Sequence, residues 1–234
     1  MANSANGFPV AILVHGAWAD GSSWNKVTRD LQARGFRVVS AQLPLTSLSE
    51  DVAAVRRYIA RENGPVVLVG HSYGGAVITA AGADNPKVTA LVYIAAIVPD
   101  KGETVGEIFG RTAPHPKAPA LQPDKNGLLW VNAETFRDAI APNAVAEESM
   151  LLAVNQKPIA AACLGEALEG AAWRQKPSWF LIPEEDRMVS PETQRFTAQR
   201  MRASVVSAPI DYWPLASAAN TVSDLIAKAS AAAA

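Results

Sequence analysis

Residues 65–83 of the chain read PVVLVGHSYGGAVITAAGA, and this stretch decides the fold. Residues 66–69 form an unbroken apolar run, and a helical pattern begins at Gly74. Between them, GHSYGG at residues 70–75 fits the pattern G-x-S-x-G. Glycines in that pattern permit a sharp turn from a strand into a helix, and the turn presents its serine at the end of the strand. We therefore predict that Ser72 is a nucleophile at the carboxyl-terminal edge of a parallel sheet.

Short apolar runs of the same kind recur along the chain. The predicted strands cover residues 10–15, 37–41, 65–71, 88–96, 178–183 and 204–208. Most of them are apolar throughout, which is typical of strands buried on both faces of a parallel sheet. Helical patterns follow them at residues 22–34, 49–62, 74–83, 191–202 and 221–229. This alternation predicts an α/β fold with a doubly wound, mostly parallel sheet of about six strands.

The alternation stops between residues 99 and 176. This segment contains Pro114-His115-Pro116 and helical patterns at residues 133–140, 143–154 and 159–169. It is too long to be a loop inside a compact domain. We therefore predict a core formed by residues 1–98 and 177–234, and a helical cap insertion at residues 99–176 that covers one edge of the sheet.

Composition excludes several classes of protein. The net charge is −1, with 21 basic and 22 acidic residues, and it lacks the basic excess of a nucleic-acid-binding protein. The single cysteine, Cys163, excludes an internal disulfide framework and a cysteine-built zinc site. Its apolar neighbours indicate a small buried side chain. We expect neither a metal ion nor a cofactor.

The sequence also lacks targeting and membrane signals. Residues 1–8 carry no Lys or Arg, and the apolar run that follows, 10–14, is shorter than the roughly 7–15 residues that a secretion signal needs. No run approaches the roughly 18 apolar residues of a membrane span. We expect a cytoplasmic protein without membrane or nucleic-acid partners, and a homodimer is left open.

A serine nucleophile needs N–H donors for the oxyanion that it creates. One donor is the N–H of the residue after the serine, here Tyr73, and the other comes from an early loop. His15-Gly16-Ala17-Trp18 ends the first predicted strand, and Gly16 allows this loop to bend under the site. We predict Ala17 N–H as the second donor and a structural role for His15, bound to loop backbone.

A carboxylate is expected on the loop after a late strand, where it would orient a histidine. The predicted strand 178–183 is followed by Glu184, Glu185 and Asp186. Asp186 is the best placed because it comes after the strand has left the sheet. Asp100, which follows the preceding strand, is the competing candidate.

Together these stretches resemble the α/β-hydrolase superfamily, most closely the small bacterial and plant group that includes methyl-ester esterases and hydroxynitrile lyases. The matching stretches are VHGAW at residues 14–18, GHSYGG at 70–75, PEEDRMVSPETQRFTAQRM at 183–201 and SVVSAPIDYWPLASAANTVSDLI at 204–226. The resemblance is weakest in the insertion. By position it implies that Ser72 is the nucleophile, that Asp186 is the triad acid, and that Ala17 and Tyr73 are the oxyanion donors.

The chain departs from this group in the last motif. Members typically end the final strand with Asp-His, whereas this chain has Asp211 followed by Tyr212. Tyr212 therefore stands at the position of the catalytic histidine, and no histidine follows His115. In lyase-type relatives a lysine comes next, and Trp213 takes its place here. We expect Trp213 and Trp18 to line the substrate pocket.

The tyrosine changes the chemistry that this site supports. A serine hydroxyl is a weak nucleophile without a base, and a phenol with a pKa of about 10 is only about 0.1% ionised at pH 7. Two other histidines are candidates for the base. His71 flanks Ser72, but neighbouring side chains at such a turn diverge. His115 lies between two prolines in the insertion, where it would overhang the site and line the pocket.

Three functions from different classes fit this sequence. The favoured one is weak or altered hydrolysis of a small carboxylic ester by Ser72, with an incomplete triad. The second is a small-molecule receptor that binds a ligand without turnover. The third is a lyase-type, non-hydrolytic reaction that uses the same oxyanion donors, with Tyr212 as the proton donor. In each case the partner is a small molecule.

Overall fold

The computed structural model describes residues 7–233. Residues 1–6, on which the expectation of no secretion signal partly rests, lie outside the described part, as does residue 234. The strands are β1 (Val10–Val14), β2 (Val38–Ala41), β3 (Val66–His71), β4 (Val88–Ile94), β5 (Leu128–Leu129), β6 (Ile159–Ala160), β7 (Ser178–Pro183) and β8 (Ser204–Ala208). The α-helices are α1 (Asn25–Ala33), α2 (Leu48–Ala60), α3 (Gly74–Ala81), α4 (Val105–Phe109), α5 (Ala133–Ile140), α6 (Ala146–Val154), α7 (Ala162–Gly165), α8 (Pro191–Arg200), α9 (Pro214–Ser217) and α10 (Ala219–Ala232).

Six parallel strands form the main sheet in the order β2-β1-β3-β4-β7-β8. This confirms the predicted fold class, and each strand overlaps one of the predicted apolar runs. Two pairs of helices cover the sheet: α1 packs against α10, and α2 packs against α3. Because the strands are parallel, the loops after β1, β3, β7 and β8 leave the sheet at the same edge. That edge carries the residues predicted from the sequence.

Parts of residues 99–176 lie beside the loops at the carboxyl ends of the strands. The Trp18 indole N–H, after β1, donates to the Leu129 carbonyl at 3.0 Å. Asn143 N–H donates to the Asp211 carboxylate, after β8, at 2.8 Å. Leu129 and Asn143 of this segment are therefore bound to the loops after β1 and β8.

One predicted helix of the insertion is wrong. Residues 159–169 contain the short strand β6, which pairs antiparallel with β5, and then the four-residue helix α7. Ala160 N–H donates to the Leu45 carbonyl at 2.9 Å, which draws the chain into an extended path. Glu166 ends α7 with an extended backbone. Tertiary hydrogen bonds here outweigh the helical pattern. The other two predicted helices are present as α5 and α6.

The described helices are too short or too polar for one of them to cross a lipid bilayer.

Candidate active site

Ser72 lies on the turn between β3 and α3, with a φ of 53° in the left-handed region. Its N–H donates to the Ile94 carbonyl at 3.0 Å. Its carbonyl accepts hydrogen bonds from Gly75 N–H at 2.9 Å and from Ile97 N–H at 3.1 Å. A non-glycine residue in this conformation costs about 1–3 kcal/mol and persists only where surrounding structure holds it. The three backbone hydrogen bonds provide that support.

Glycines allow the turn to pack tightly against the neighbouring backbone. A Cβ atom on Gly70 would lie 2.5 Å from the Gly74 carbonyl oxygen, and one on Gly74 would lie 2.5 Å from the Val14 carbonyl oxygen. A Cβ atom on Gly16 would lie 2.9 Å from the Ser72 Cβ. Any side chain at these positions would therefore push apart the turn, β1 and the loop that follows β1.

Ser72 faces a small apolar cavity of about 30 Å³, which leaves room for roughly two water molecules. The core contributes Ala17, Trp18, Tyr73, Ile97, Met188, Val189 and Tyr212 to its lining. The insertion contributes Phe109, Leu121, Leu129, Ile159 and Leu164. Trp18, which we expect to line the substrate pocket, is one of these residues. An apolar lining of this kind favours an uncharged, apolar group beside the serine.

Tyr212 reaches Ser72 directly. Its hydroxyl donates a hydrogen bond to Ser72 Oγ at 2.6 Å, and both side chains are buried. Burial raises the pKa of the Tyr212 phenol above its ordinary value, and the negative charge of Asp186 adds to this effect. The phenol therefore stays protonated at neutral pH and acts as a donor to the serine.

His71 points away from the cavity, toward the backbone of the last loop. Its Nε2 lies 3.0 Å from the Tyr212 carbonyl oxygen, and its ring contacts the rings of Tyr212 and Trp213, with centroids 5.0 Å away in each case. Burial lowers the pKa of His71 to about 4, so the ring is neutral at pH 7. A carbonyl only accepts hydrogen bonds, so the proton of the neutral ring is on Nε2. His71 therefore holds residue 212 in place and does not contact Ser72 Oγ.

Asp186 is buried in the loop after β7 and accepts hydrogen bonds at both oxygens. Oδ1 accepts from the N–H groups of Met188 and Val189, each at 2.8 Å, and Oδ2 accepts from the Gln194 amide at 2.7 Å. Burial raises the pKa of Asp186, and these donors oppose the increase. Within residues 7–233, no hydrogen bond joins Asp186 to the Tyr212 hydroxyl. Gln194 could not be predicted from the sequence, because a lone glutamine inside a helix carries no motif.

The predicted N–H donors are close to the serine. Ala17 and Tyr73 both line the Ser72 cavity. Neither backbone N–H donates to another residue of the described chain. Buried N–H groups in proteins are nearly always paired, so two unpaired groups beside one serine indicate room for an acceptor.

His15 binds loop backbone on both sides of its ring. Its Nε2 accepts from Leu43 N–H at 3.0 Å, so the proton of the neutral ring is on Nδ1, which donates to the Gly16 carbonyl at 2.9 Å. Burial lowers the pKa of His15 to about 4. The side chain thus fixes the loop that carries Ala17.

Two alternative candidates lie away from the serine. Asp100 accepts from the Arg174 guanidinium, which lowers the pKa of Asp100, and it does not line the Ser72 cavity. His115 is exposed, and its Nδ1 accepts from Lys117 N–H at 3.0 Å. It lines a neighbouring cavity beside Asp186 rather than the Ser72 cavity.

The expectation that Trp213 lines the substrate pocket is wrong for the Ser72 cavity. Asp211 Oδ1 accepts both Trp213 N–H at 3.2 Å and the Ser217 hydroxyl at 2.7 Å, and Pro214 begins α9 directly afterwards. The Trp213 ring packs edge-on against the Tyr212 ring, with centroids 6.0 Å apart, and lies outside the Ser72 cavity. The indole is buried against His71 and borders a separate surface groove beside Lys26.

Within residues 7–233, no group of three or more His, Cys, Asp or Glu side chains is placed to hold a metal ion.

Fold and site together define the class of protein. A parallel sheet that presents a serine on the sharp turn after a buried inner strand is the architecture of the α/β hydrolases. The chain belongs to the alpha/beta hydrolase family, whose sequence model matches residues 11–217.

Relatives and similar structures carry hydrolase names. The carbendazim hydrolyzing esterase of Nocardioides sp. (strain SG-4G) is 34% identical over 117 residues, 44% of this chain and 48% of that protein. Methylesterase 7 of Arabidopsis thaliana is 31% identical over 113 residues, 42% of each chain. The chain thus matches less than half the length of these two relatives. A pyrethroid hydrolase structure from Sphingobium faniae JZ-2 shares the fold, with a TM-score of 0.84 and 24% identity over 96% of this chain and 98% of that one.

Proposed function

We propose that the protein is a serine-nucleophile hydrolase of small carboxylic esters whose catalytic triad lacks its usual base. Ser72 is the nucleophile, Asp186 is the triad acid, and Tyr212 occupies the position of the histidine. The observation that carries the proposal is the hydrogen bond of 2.6 Å from the Tyr212 hydroxyl to Ser72 Oγ. The esterase names of two partial relatives support the substrate class.

In this proposal, Ser72 Oγ attacks the ester carbonyl, and the N–H groups of Ala17 and Tyr73 bind the oxyanion that forms. Both N–H groups lack an acceptor within the described chain. Preorganised donors of this kind are usually the largest single contribution to such a reaction. These two N–H donors therefore support some turnover even where the base is inefficient.

The limiting step is removal of the serine proton. A buried phenol that already donates to Ser72 Oγ is a poor acceptor for that proton at neutral pH. Loss of the base costs on the order of 10⁶ in kcat in enzymes with a complete triad. We therefore expect low ester hydrolysis by this chain at about pH 7.

Residues 99–176 act in the proposal as a cap. Five of the residues around the Ser72 cavity come from this insertion, and all five are apolar. The cavity holds no charged side chain, so the substrate group that enters it is uncharged. A charged group would be buried there without a partner of opposite charge, which costs free energy, whereas an uncharged group avoids this cost.

The test is hydrolysis of p-nitrophenyl acetate by the wild-type protein and by Tyr212→His. A histidine contributes roughly 10²–10⁴-fold as a general base, so we expect Tyr212→His to raise kcat/KM by at least about 100-fold. Tyr212→Phe removes the hydroxyl without adding a base and should stay near the wild-type rate. Adding Ser72→Ala to Tyr212→His should abolish the gain. A folded Tyr212→His protein without any gain would overturn the proposal.

A second function is favoured by the direction of the same hydrogen bond, in which Tyr212 is the donor. The Tyr212 hydroxyl is a buried donor beside the serine, as a proton donor in a lyase-type reaction would be. In that case the wild-type protein would cleave a hydroxyl-bearing carbonyl adduct, and Tyr212→Phe would lose this activity. Retention of the activity by Tyr212→Phe would exclude Tyr212 as the donor.

A further inference from the structure

A second buried carboxylate lies behind the serine turn and takes no part in the proposed mechanism. Asp51 is on α2 and is fully buried. Its Oδ1 accepts from Leu45 N–H at 2.8 Å, and its Oδ2 accepts from the Tyr73 hydroxyl at 2.7 Å. The Cys163 thiol of α7 lies 3.9 Å from Oδ2. One carboxylate thus joins the loop after β2, the serine turn and the insertion.

We propose that Asp51 is a positioning residue that holds Tyr73, and with it the N–H group that binds the oxyanion. Tyr73 directly follows Ser72 and is one of the residues that line the Ser72 cavity, and its side chain is buried. The far end of that side chain is fixed by the Asp51 carboxylate. This inference rests on the proposed function, because that function gives the Tyr73 N–H its role.

In the hydrogen bond between Tyr73 and Asp51, the tyrosine hydroxyl is the donor and the carboxylate is the acceptor. Burial raises the pKa of Tyr73, so its hydroxyl keeps the proton and donates. Hydrogen bonds to an ionised acceptor are shorter and roughly twice as strong as those between neutral groups. Burial raises the pKa of Asp51, and the hydrogen bonds from Tyr73 and Leu45 oppose this increase, as does the nearby Lys157 ammonium. The Tyr73 ring is therefore held at its tip as well as at its backbone.

Simple packing does not require a carboxylate at this position. A buried charge costs free energy, and an apolar residue of similar size often stabilises a core equally well. What the carboxylate adds is a fixed position for its donors. An oxyanion donor must lie within tenths of an ångström of its best position, and a displacement of about 1 Å can cost roughly 100-fold in rate. Asp51 meets this requirement because it fixes the side chain of Tyr73, the residue whose N–H is the proposed donor.

The first arm of the test measures hydrogen exchange at the Tyr73 backbone N–H by NMR. Asp51→Asn keeps the shape and removes the charge, whereas Asp51→Ala removes the contact. We expect Tyr73 N–H to exchange at least roughly tenfold faster in Asp51→Ala, with Asp51→Asn in between. Unchanged exchange at Tyr73 in both variants would overturn the proposal. If Asp51→Ala does not fold, Asp51→Asn decides it alone.

The second arm measures ester hydrolysis in the Tyr212→His background. Tyr73→Phe removes only the hydroxyl that Asp51 binds. The matched control is Tyr93→Phe, because Tyr93 is also buried and its hydroxyl lies 3.0 Å from Thr79 Oγ1. We expect Tyr73→Phe to lower kcat by roughly 10-fold to 100-fold with little change in KM, and Tyr93→Phe to leave both constants near the parent values.

The two arms separate the possible failures. Equal losses of kcat in Tyr73→Phe and Tyr93→Phe would show that the Asp51 contact is structural only, and would overturn the positioning role. If Tyr212→His hydrolyses no ester, the proposed function fails. The exchange arm still decides whether Asp51 holds the Tyr73 N–H.

Discussion

The Tyr212 hydroxyl donates to Ser72 Oγ at 2.6 Å, so in the proposed function a proton donor occupies the place where a serine hydrolase needs an acceptor. The backbone of residue 212 is held independently of its side chain, because His71 Nε2–H donates to the Tyr212 carbonyl at 3.0 Å. A histidine at position 212 should therefore start from the same backbone position. For this reason a single substitution is an informative test of the site.

If the proposed function is right, the pH dependence of ester hydrolysis should show which group acts as the base. Burial raises the pKa of Tyr212, so phenolate does not form near pH 7. We expect wild-type hydrolysis of p-nitrophenyl acetate to increase steadily with pH, without a plateau between about pH 7 and 8. Tyr212→His should instead reach a plateau above roughly pH 7. A wild-type plateau that His115→Ala removes would make His115 the base and contradict the assignment.

Close packing at the serine turn should make Gly16 intolerant of any side chain. In Gly16→Ala, the new Cβ would lie 2.9 Å from Ser72 Cβ and 3.0 Å from the His71 carbonyl oxygen. We expect a loss of about 1–3 kcal/mol in the free energy of unfolding, measured in urea. Gly64→Ala is the matched control, since nothing lies within 4 Å of its new Cβ. Equal stability of the two variants would contradict this picture of the turn.

The sequence predicts the fold well because buried parallel strands have a local signature. The apolar runs and the G-x-S-x-G turn are contiguous in sequence, and the sheet places the loops after β1, β3, β7 and β8 at one edge. The place of Ser72, on a turn between β3 and α3, follows from those local patterns.

The remaining features depend on contacts between distant residues. The predicted helix at residues 159–169 gives way to a strand because Ala160 binds the Leu45 carbonyl. Trp213 leaves the Ser72 cavity because Asp211 caps the turn that follows it. Asp51 and Gln194 are single polar residues within helices, and only the tertiary structure brings them to Tyr73 and Asp186. No local pattern in the sequence predicts these contacts.

Gln194 should stabilise the buried carboxylate of Asp186. Its amide supplies a hydrogen bond of 2.7 Å to Oδ2, and Gln194→Leu removes that donor while keeping a similar volume. A buried carboxylate that loses a donor costs roughly 1–3 kcal/mol, which urea unfolding measures. In the control, Gln175→Leu removes an exposed contact of 3.2 Å to Asp84. We expect almost no change there, and a similar loss in both variants would count against the role of Gln194.

Stability should fall as the solution becomes acidic, partly because His15 and His71 are buried as neutral rings. Burial lowers their pKa values to about 4, from about 6.5 in the unfolded chain. Between those values the unfolded chain binds more protons, so stability is full above about pH 6.5 and is lost toward pH 4. Each histidine should contribute roughly 1 kcal/mol to the loss between about pH 7.5 and 5.5.

The histidine effect can be isolated by comparing variants. His15→Gln should remove roughly 1 kcal/mol of the pH dependence, whereas His115→Gln, at an exposed position, should leave it unchanged. Burial raises the pKa values of Asp51 and Asp186, and their effect on the pH dependence of stability has the opposite sign. Both carboxylates are present in every variant, so their effect cancels when the variants are compared. Identical pH dependence in wild type and His15→Gln would show that His15 is not buried as a neutral ring.

The last prediction concerns the size of the substrate. The Ser72 cavity, at about 30 Å³, is too small for a whole ester, but Phe109 and Met188 line both this cavity and a neighbouring cavity of about 450 Å³. In the Tyr212→His background, Phe109→Ala should join the two cavities and admit a longer acyl chain. Each buried methylene contributes about 0.8 kcal/mol, so the octanoate-to-acetate ratio of kcat/KM should rise by at least roughly tenfold.

Leu164→Ala is the control that distinguishes joining of the two cavities from simple enlargement of the Ser72 cavity. Leu164 lines the Ser72 cavity but not the larger cavity. This substitution removes comparable apolar volume without opening a path to the larger cavity. We expect its octanoate-to-acetate ratio to rise much less than that of Phe109→Ala, with p-nitrophenyl esters as substrates. If both variants raise the ratio equally, the larger cavity does not receive the chain, and Phe109 is only one wall of the Ser72 cavity.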